Sequence, residues 1–285
     1  MIPTDHPRAL LPLATILLIL PIAWMGQLDV EAELYIGESI KNAAILYGIA
    51  RGINAAVSLM QSVDVSVVVA SIQLGELLDP INDMIERFSD AMTYAIVSLT
   101  MQQILLEIVR AKLFNILLTL SALLYVGLWL GKSQLRTSAF KLFLTLTFLR
   151  LSLTAVLLLN MAVDHSFMNA KVAVEQQKMV SMQEDMSHIS GQLNNQAQSD
   201  SSEEKSWMES AQASLQKVAG SFHIQAMIDD AMRKSEAWFS SILTLLTLVL
   251  LKSIILPLLF WYAILKGVKA LWAFEIIRTP QVQIA

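Results

Sequence analysis

The chain has 285 residues, 55% of them hydrophobic and only 15% charged, with a mean hydropathy of +0.56 and a formal net charge of -4. Soluble globular proteins carry about 25% charged residues, so this balance points to a membrane. Acids outnumber bases, 24 to 20, which excludes the concentrated basic face of a nucleic-acid binder, and the absence of Cys excludes disulfides and thiolate sites.

The first apolar segment runs from about Leu10 to Gly26, holds Pro12 and Pro21, and follows a short head bearing Arg8. A signal peptide shares that outline. Pro21 to Gly26 lacks a small-x-small cleavage site, however, so residues 1–26 are expected to be a cytoplasmic head with an uncleaved anchor.

Residues 27–112 read as an extracytoplasmic insert. Leu46, Ile49, Ile53, Ala56 and Met60 recur at three- and four-residue steps and predict a helix from about Val30 to Met60. Ala44, Gly48, Gly52 and Ala56 repeat every four residues along it, leaving one face bare enough for another backbone. That face fits either a tight intramolecular helix pair or a subunit interface. Val63, Val65, Val67 and Val69 then alternate with Asp64, Ser66 and Val68, the period of a strand, and Ser71 to Gly75 reads as its return. A lone hairpin is marginal in water and would gain by pairing its edge with a neighbouring subunit. Asp79-Pro80 has the form of a helix start. No breaker follows before Gly127, so a continuous helix of roughly 70 Å is expected to run from Pro80 into the next span. Asp79, Asp83, Glu86 and Asp90 share one face of its first turns, a stripe that suits solvent or, alternatively, a cation or basic partner.

Residues 113–163 hold the second span, Leu113 to Leu130, with Tyr125 and Trp129 near its end, then a basic loop and a third span from Leu142 to Val163. Residues 164–238 read as an antiparallel helical hairpin. Val172, Met179, Met186 and Leu193 are spaced by seven, with Met182 and Ile189 between them, forming a coiled-coil seam that Glu175 and Gln196 interrupt. The polar stretch from Gly191 to Ser202 marks the tip, and Met208, Ala211, Leu215, Val218 and Phe222 mark the returning arm. The fourth span, from Phe239 to about Leu265, lies in residues 239–285 and is expected to kink at Pro257.

With four crossings, Arg8, Lys132, Arg136, Lys141, Lys266, Lys269 and Arg278 fall on one side, where the acids are only Asp5 and Glu275. Basic residues are retained in the cytoplasm, so both termini are placed there. A six-span alternative adds Ala43 to Met60 and Ala91 to Val109. Against it stand Arg51 in the first and Gln102, Gln103 and Glu107 in the second, since a charge at mid-membrane costs about 2.5 to 3.5 kcal/mol on insertion scales.

His6, His165, His188 and His223 show no ligand spacing, and no phosphate-binding loop, dinucleotide fingerprint, nucleophile elbow or zinc-protease motif is present. No metal, cofactor or catalytic set is therefore expected. No Asn begins an Asn-x-Ser/Thr acceptor, and a bacterial source is read from that. The sharper anomalies are Arg150 and Lys252, near the middles of the third and fourth spans, with no acid inside any proposed span to pair with them. Thr147, Arg150 and Thr154 share one helical face. These residues either line a water-filled, anion-preferring path or snorkel and bond to neighbouring carbonyls and hydroxyls.

The expected architecture is an all-α integral membrane protein of the bacterial inner membrane, with four spans and a large extracytoplasmic helical domain holding a small β-hairpin. The expected function is that of a non-enzymatic, homo-oligomeric scaffold, embedded in the lipid bilayer and offering its outer helices to an envelope protein. The alternative is an oligomeric channel or transporter whose path is lined by Arg150 and Lys252.

Overall fold

A computed structural model describes the backbone of residues 7–62, 68–131, 133–200, 230 and 233–273, and the side chains of 12–61, 79–131, 133–192, 230 and 233–269. The elements in chain order are α1 (Pro7–Met25), α2 (Gln27–Ser62), α3 (Val68–Val109), α4 (Lys112–Leu130), α5 (Arg136–Val163), a π-helical turn (Asp164–Met168), α6 (Asn169–Asp200), α7 (233–250), a second π turn (Leu251–Ile255) and α8 (Leu256–Ala273). Among the described residues every regular element is a helix.

Several of these helices are long and apolar enough to cross a membrane: Gln27–Gln61, Asp79–Val109, Lys112–Leu130, Arg136–Gln192 and Arg233–Lys269, with a shorter apolar helix over Pro12–Met25. A bilayer core of about 30 Å needs about 20 residues of helix. Both additional segments of the six-span alternative lie within helices that meet this measure.

The chain divides into two units. The first comprises Met1–Ile40, Val97–Ser166 and Lys252–Ala285, and the second Lys41–Ile96 and Phe167–Leu251. In the first unit, α4 packs along α5, and α1 and α8 also pack on α5. Its core joins Ile16 and Ala23 of α1, Leu118, Ala122 and Tyr125 of α4, and Ala139, Phe140 and Phe143 of α5. Outward it presents large apolar side chains: Leu17 is 78% exposed, Leu130 69% and Leu258 65%. Such a surface is compatible with a membrane or a protein interface.

The second unit closes a core of its own from α2 (Leu46, Ile53, Val57), α3 (Ile85, Phe88, Met92), α6 (Met179, Met182, Met186, Ile189) and α7 (Trp238, Ile242, Leu245). Each fully buried side chain of this size contributes about 1.5–3 kcal/mol. Met179, Met182 and Met186 of the expected seam are buried in this core. The returning arm expected over 208–222 lies outside the described residues.

Four expectations are corrected. Residues 71–75 belong to α3 and not to a strand, while Val65 and Val67 lie outside the described residues. A short apolar alternation fits either period, and β-branched preference yields to context. Pro80 lies inside α3 rather than at its start. The lost backbone bond costs about 3 kcal/mol, and burial of Ile81, Ile85 and Phe88 just beyond it acts in the opposite direction. The long helix is broken at Arg110-Ala111, where Ala111 takes an extended conformation (φ -56, ψ 143). Finally, α6 continues through Gly191 to Asp200, because Gln, Asn and Ser each cost a helix only tenths of a kcal/mol and do not end one by composition.

Candidate functional site

The first unit contains a buried charge centre built around Arg150, which is 2% exposed. Its position fourteen residues into α5 places it about 21 Å along the helix from Arg136. Two helix breaks meet it. At the end of α1, Gly26 adopts φ +65, a left-handed conformation that a Cβ would strain, and α2 begins directly after it. At the other break α4 starts from Ala111. The last turn of α1 thus offers a carbonyl, the first turn of α2 offers Asp29, and the first turn of α4 offers Asn115.

Arg150 uses this set almost completely. Nε donates to Asn115 Oδ1 at 2.8 Å, Nη1 to Asp29 Oδ1 at 3.1 Å, and Nη2 to the Ala23 carbonyl at 3.3 Å and to Asp29 Oδ2. Thr154 donates its hydroxyl to Asp29 Oδ1 at 2.7 Å. The guanidinium is bidentate on one carboxylate, the geometry in which Arg pairs most strongly. Beside the centre, Arg110 pairs with Glu33, joining the α3 break to α2.

A second pair lies fourteen residues further along α5. Lys252 pairs with Asp164, which is buried, and its Nζ sits 5.3 Å from the centre of the Tyr35 ring. Each partner stands in a π turn. Pro257 explains much of the local arrangement. It has no N–H to give to the Ser253 carbonyl, four residues back. Ser98 Oγ and Gln102 Nε2 donate to that carbonyl instead, at 2.9 and 3.1 Å, and Asn160 Nδ2 donates to the Lys252 carbonyl at 2.9 Å. A π turn, Leu251–Ile255, stands just before Pro257.

Arg150 and Lys252 are therefore not without acids. Asp29 and Asp164 were overlooked in the sequence because they stand just past the apolar windows, three residues after Gly26 and one after Val163. The requirement that a buried cation be paired was the signal that could have found them. Of the polar face, Thr154 joins the centre, whereas Thr147 Oγ1 is buried without a hydrogen-bond partner. An anion would have to displace Asp29 before it met a free Arg150.

The other candidate residues fall in the second unit. Ala44 and Gly48 are exposed, with open space where a Gly48 Cβ would stand. A Cβ on Gly52 would collide with the side-chain amide of Gln183 on α6, and Ala56 is buried. Half of the small-residue stripe thus serves an intramolecular approach of α6, and half faces outward. Asp79, Asp83, Glu86 and Asp90 are exposed. Asp83 pairs with Arg87 at 3.0 Å, and Asp79 accepts from Gln61 at 3.3 Å. Among the described residues no three His, Asp or Glu side chains converge on a possible metal position. Compared with known proteins, the chain matches no family model, no curated protein and no solved structure.

Proposed function

We propose that the chain is a non-enzymatic membrane scaffold, held in a bacterial inner membrane by its first unit and offering the helices of its second unit to an envelope protein. The observation that carries this reading is the closure of both intramembrane cations by carboxylates: Arg150 by Asp29 and Lys252 by Asp164. A buried pair of this kind holds helices in register and leaves no net charge to attract a permeating ion. The distribution of apolar surface supports the assignment of the membrane to the first unit, since the strongly exposed leucines of α1, α4 and α8 belong there. In this reading the chain crosses four times, through α1, α4, α5 and the apolar stretch from Phe239 to about Leu265, with both termini in the cytoplasm. The outward half of the small-residue stripe, Ala44 and Gly48, is the contact through which copies associate.

One observation favours the second reading, a channel or transporter. Helices interrupted beside a buried charge, as at Gly26 and Arg110-Ala111, are how transporters build ion sites near the bilayer midplane. Liposome flux separates the two. The scaffold reading expects no chloride or nitrate conductance from reconstituted protein. A conductance abolished by Arg150→Leu or Lys252→Leu would establish the pore instead.

A further inference from the structure

Four basic side chains gather at one end of the first unit. Arg136 and Lys141 stand in the first turns of α5, and Lys266 and Lys269 stand late in α8. Two contacts show that these helices run antiparallel: Asp164 with Lys252 in the π turns that adjoin them, and Phe148 with Trp261 at 5.9 Å between ring centres. Lys141 lies seven residues before Phe148, about 10 Å along α5, and on the same face. Lys266 and Lys269 lie five and eight residues after Trp261, about 8 and 12 Å along α8 in the same direction. Lys141, Lys266 and Lys269 therefore lie at about one level, and Arg136, twelve residues before Phe148, stands about 18 Å along α5 at its outer end.

Among the described residues none of the four enters an ion pair, unlike Arg87, Arg110, Arg150, Lys178, Lys234 and Lys252. Lys141, Lys266 and Lys269 are exposed. Further along the same helices exposed leucines follow, Leu142 at 47% and Leu149 at 43% on α5 and Leu258 at 65% and Leu259 at 53% on α8. Unpaired cations above an apolar wall match the two halves of one ligand, a phosphodiester headgroup and its acyl chains. A soluble phosphate would use only the first half.

We propose that this end of α5 and α8 is a binding site for anionic phospholipid, with Arg136, Lys141, Lys266 and Lys269 taking the headgroup phosphate. The proposal rests on the membrane reading of the first unit. Attraction of a Lys or Arg to an anionic lipid surface is worth about fivefold in partition per side chain.

The test uses the full chain in nanodiscs of equal parts phosphatidylcholine and phosphatidylglycerol, followed by mild detergent extraction and mass spectrometry of the retained lipid. The ratio of phosphatidylglycerol to phosphatidylcholine in the retained lipid should be about three or more, against one in the bulk mixture, a fraction of the four-residue maximum. The enrichment should vanish in R136Q/K141Q/K266Q/K269Q, persist in the charge-keeping R136K/K141R/K266R/K269R, and persist in K171Q/K178Q/R233Q/K234Q, which removes as many charges from the second unit. Excess soluble glycerol phosphate should leave it intact. Absence of enrichment in the wild type, equal loss in the second-unit variant, or displacement by glycerol phosphate would each overturn the proposal. Failure of the wild type to float with vesicles would overturn the membrane reading itself, whereas flotation without enrichment overturns the lipid site alone.

Discussion

Replacing Asp29 by Val removes the counter-charge from a guanidinium that is 2% exposed and leaves it only Asn115 and the Ala23 carbonyl. Uncompensated buried charges of this kind cost about 3–5 kcal/mol. At about 2–4 °C per kcal/mol, the expected fall in Tm is roughly 6–20 °C. Arg150→Met alone should cost a similar amount, since it strands the carboxylate of Asp29, the Asn115 amide and the Ala23 carbonyl. The double variant removes both charges together, so it should be less destabilised than the sum of the singles by at least about 2 kcal/mol, the coupling range of contacting residues. Arg110→Ala serves as the comparison, because its partner Glu33 is 38% exposed and such pairs contribute about 1 kcal/mol or less. Thermal unfolding in nanodiscs, followed by intrinsic tryptophan fluorescence, reads all four variants. Trp24 lies one residue past Ala23, with its Nε1 3.1 Å from Thr119, and reports the centre locally. Equal shifts for Asp29→Val and Arg110→Ala, or strict additivity of Asp29→Val with Arg150→Met, would refute the claim that this pair holds the first unit together.

Other consequences can be checked on the same preparations. Gly26→Ala forces a Cβ into the left-handed region and should cost about 1–2 kcal/mol, read as a loss of Tm that Gly37→Ala does not share. Ser98→Ala with Gln102→Leu removes two donors from the Ser253 carbonyl and should cost about 1–3 kcal/mol in the native sequence, but much less in a Pro257→Ala background where the backbone N–H returns. Gly52→Leu drives a side chain into Gln183 and should lower Tm by the equivalent of about 1–3 kcal/mol, partly relieved by Gln183→Ala. Gly48→Leu meets open space, so it should leave Tm unchanged and instead dissociate the oligomer, as gel filtration with light scattering would show.

Long apolar helices were legible because length and apolarity determine them almost alone: the apolar segment from Leu113 to Leu130 coincides with α4 to within one residue. The methionine periodicity likewise identified buried positions, although not their partners, since a seven-residue repeat states which face is inside and not what lies opposite. What stayed hidden were events set by tertiary context. Arg110-Ala111 carries no breaking residue, so its extended turn follows from what surrounds it, including the Arg110 pairing with Glu33. Asp29 and Asp164 read as the acidic fringe of outer segments because hydropathy averages over windows and is blind to a single carboxylate folded back onto a cation. Pro80 misled for the converse reason: a strong local signal was overridden by the packing of the helix that contains it.

The mass and symmetry of the nanodisc-embedded particle test the scaffold account most directly, by native mass spectrometry together with low-resolution imaging. The account predicts a homo-oligomer of fixed size with no water-filled axis through α5 or α8. A monomer, or a ring whose axial cavity is lined by Arg150 and Lys252, would contradict it.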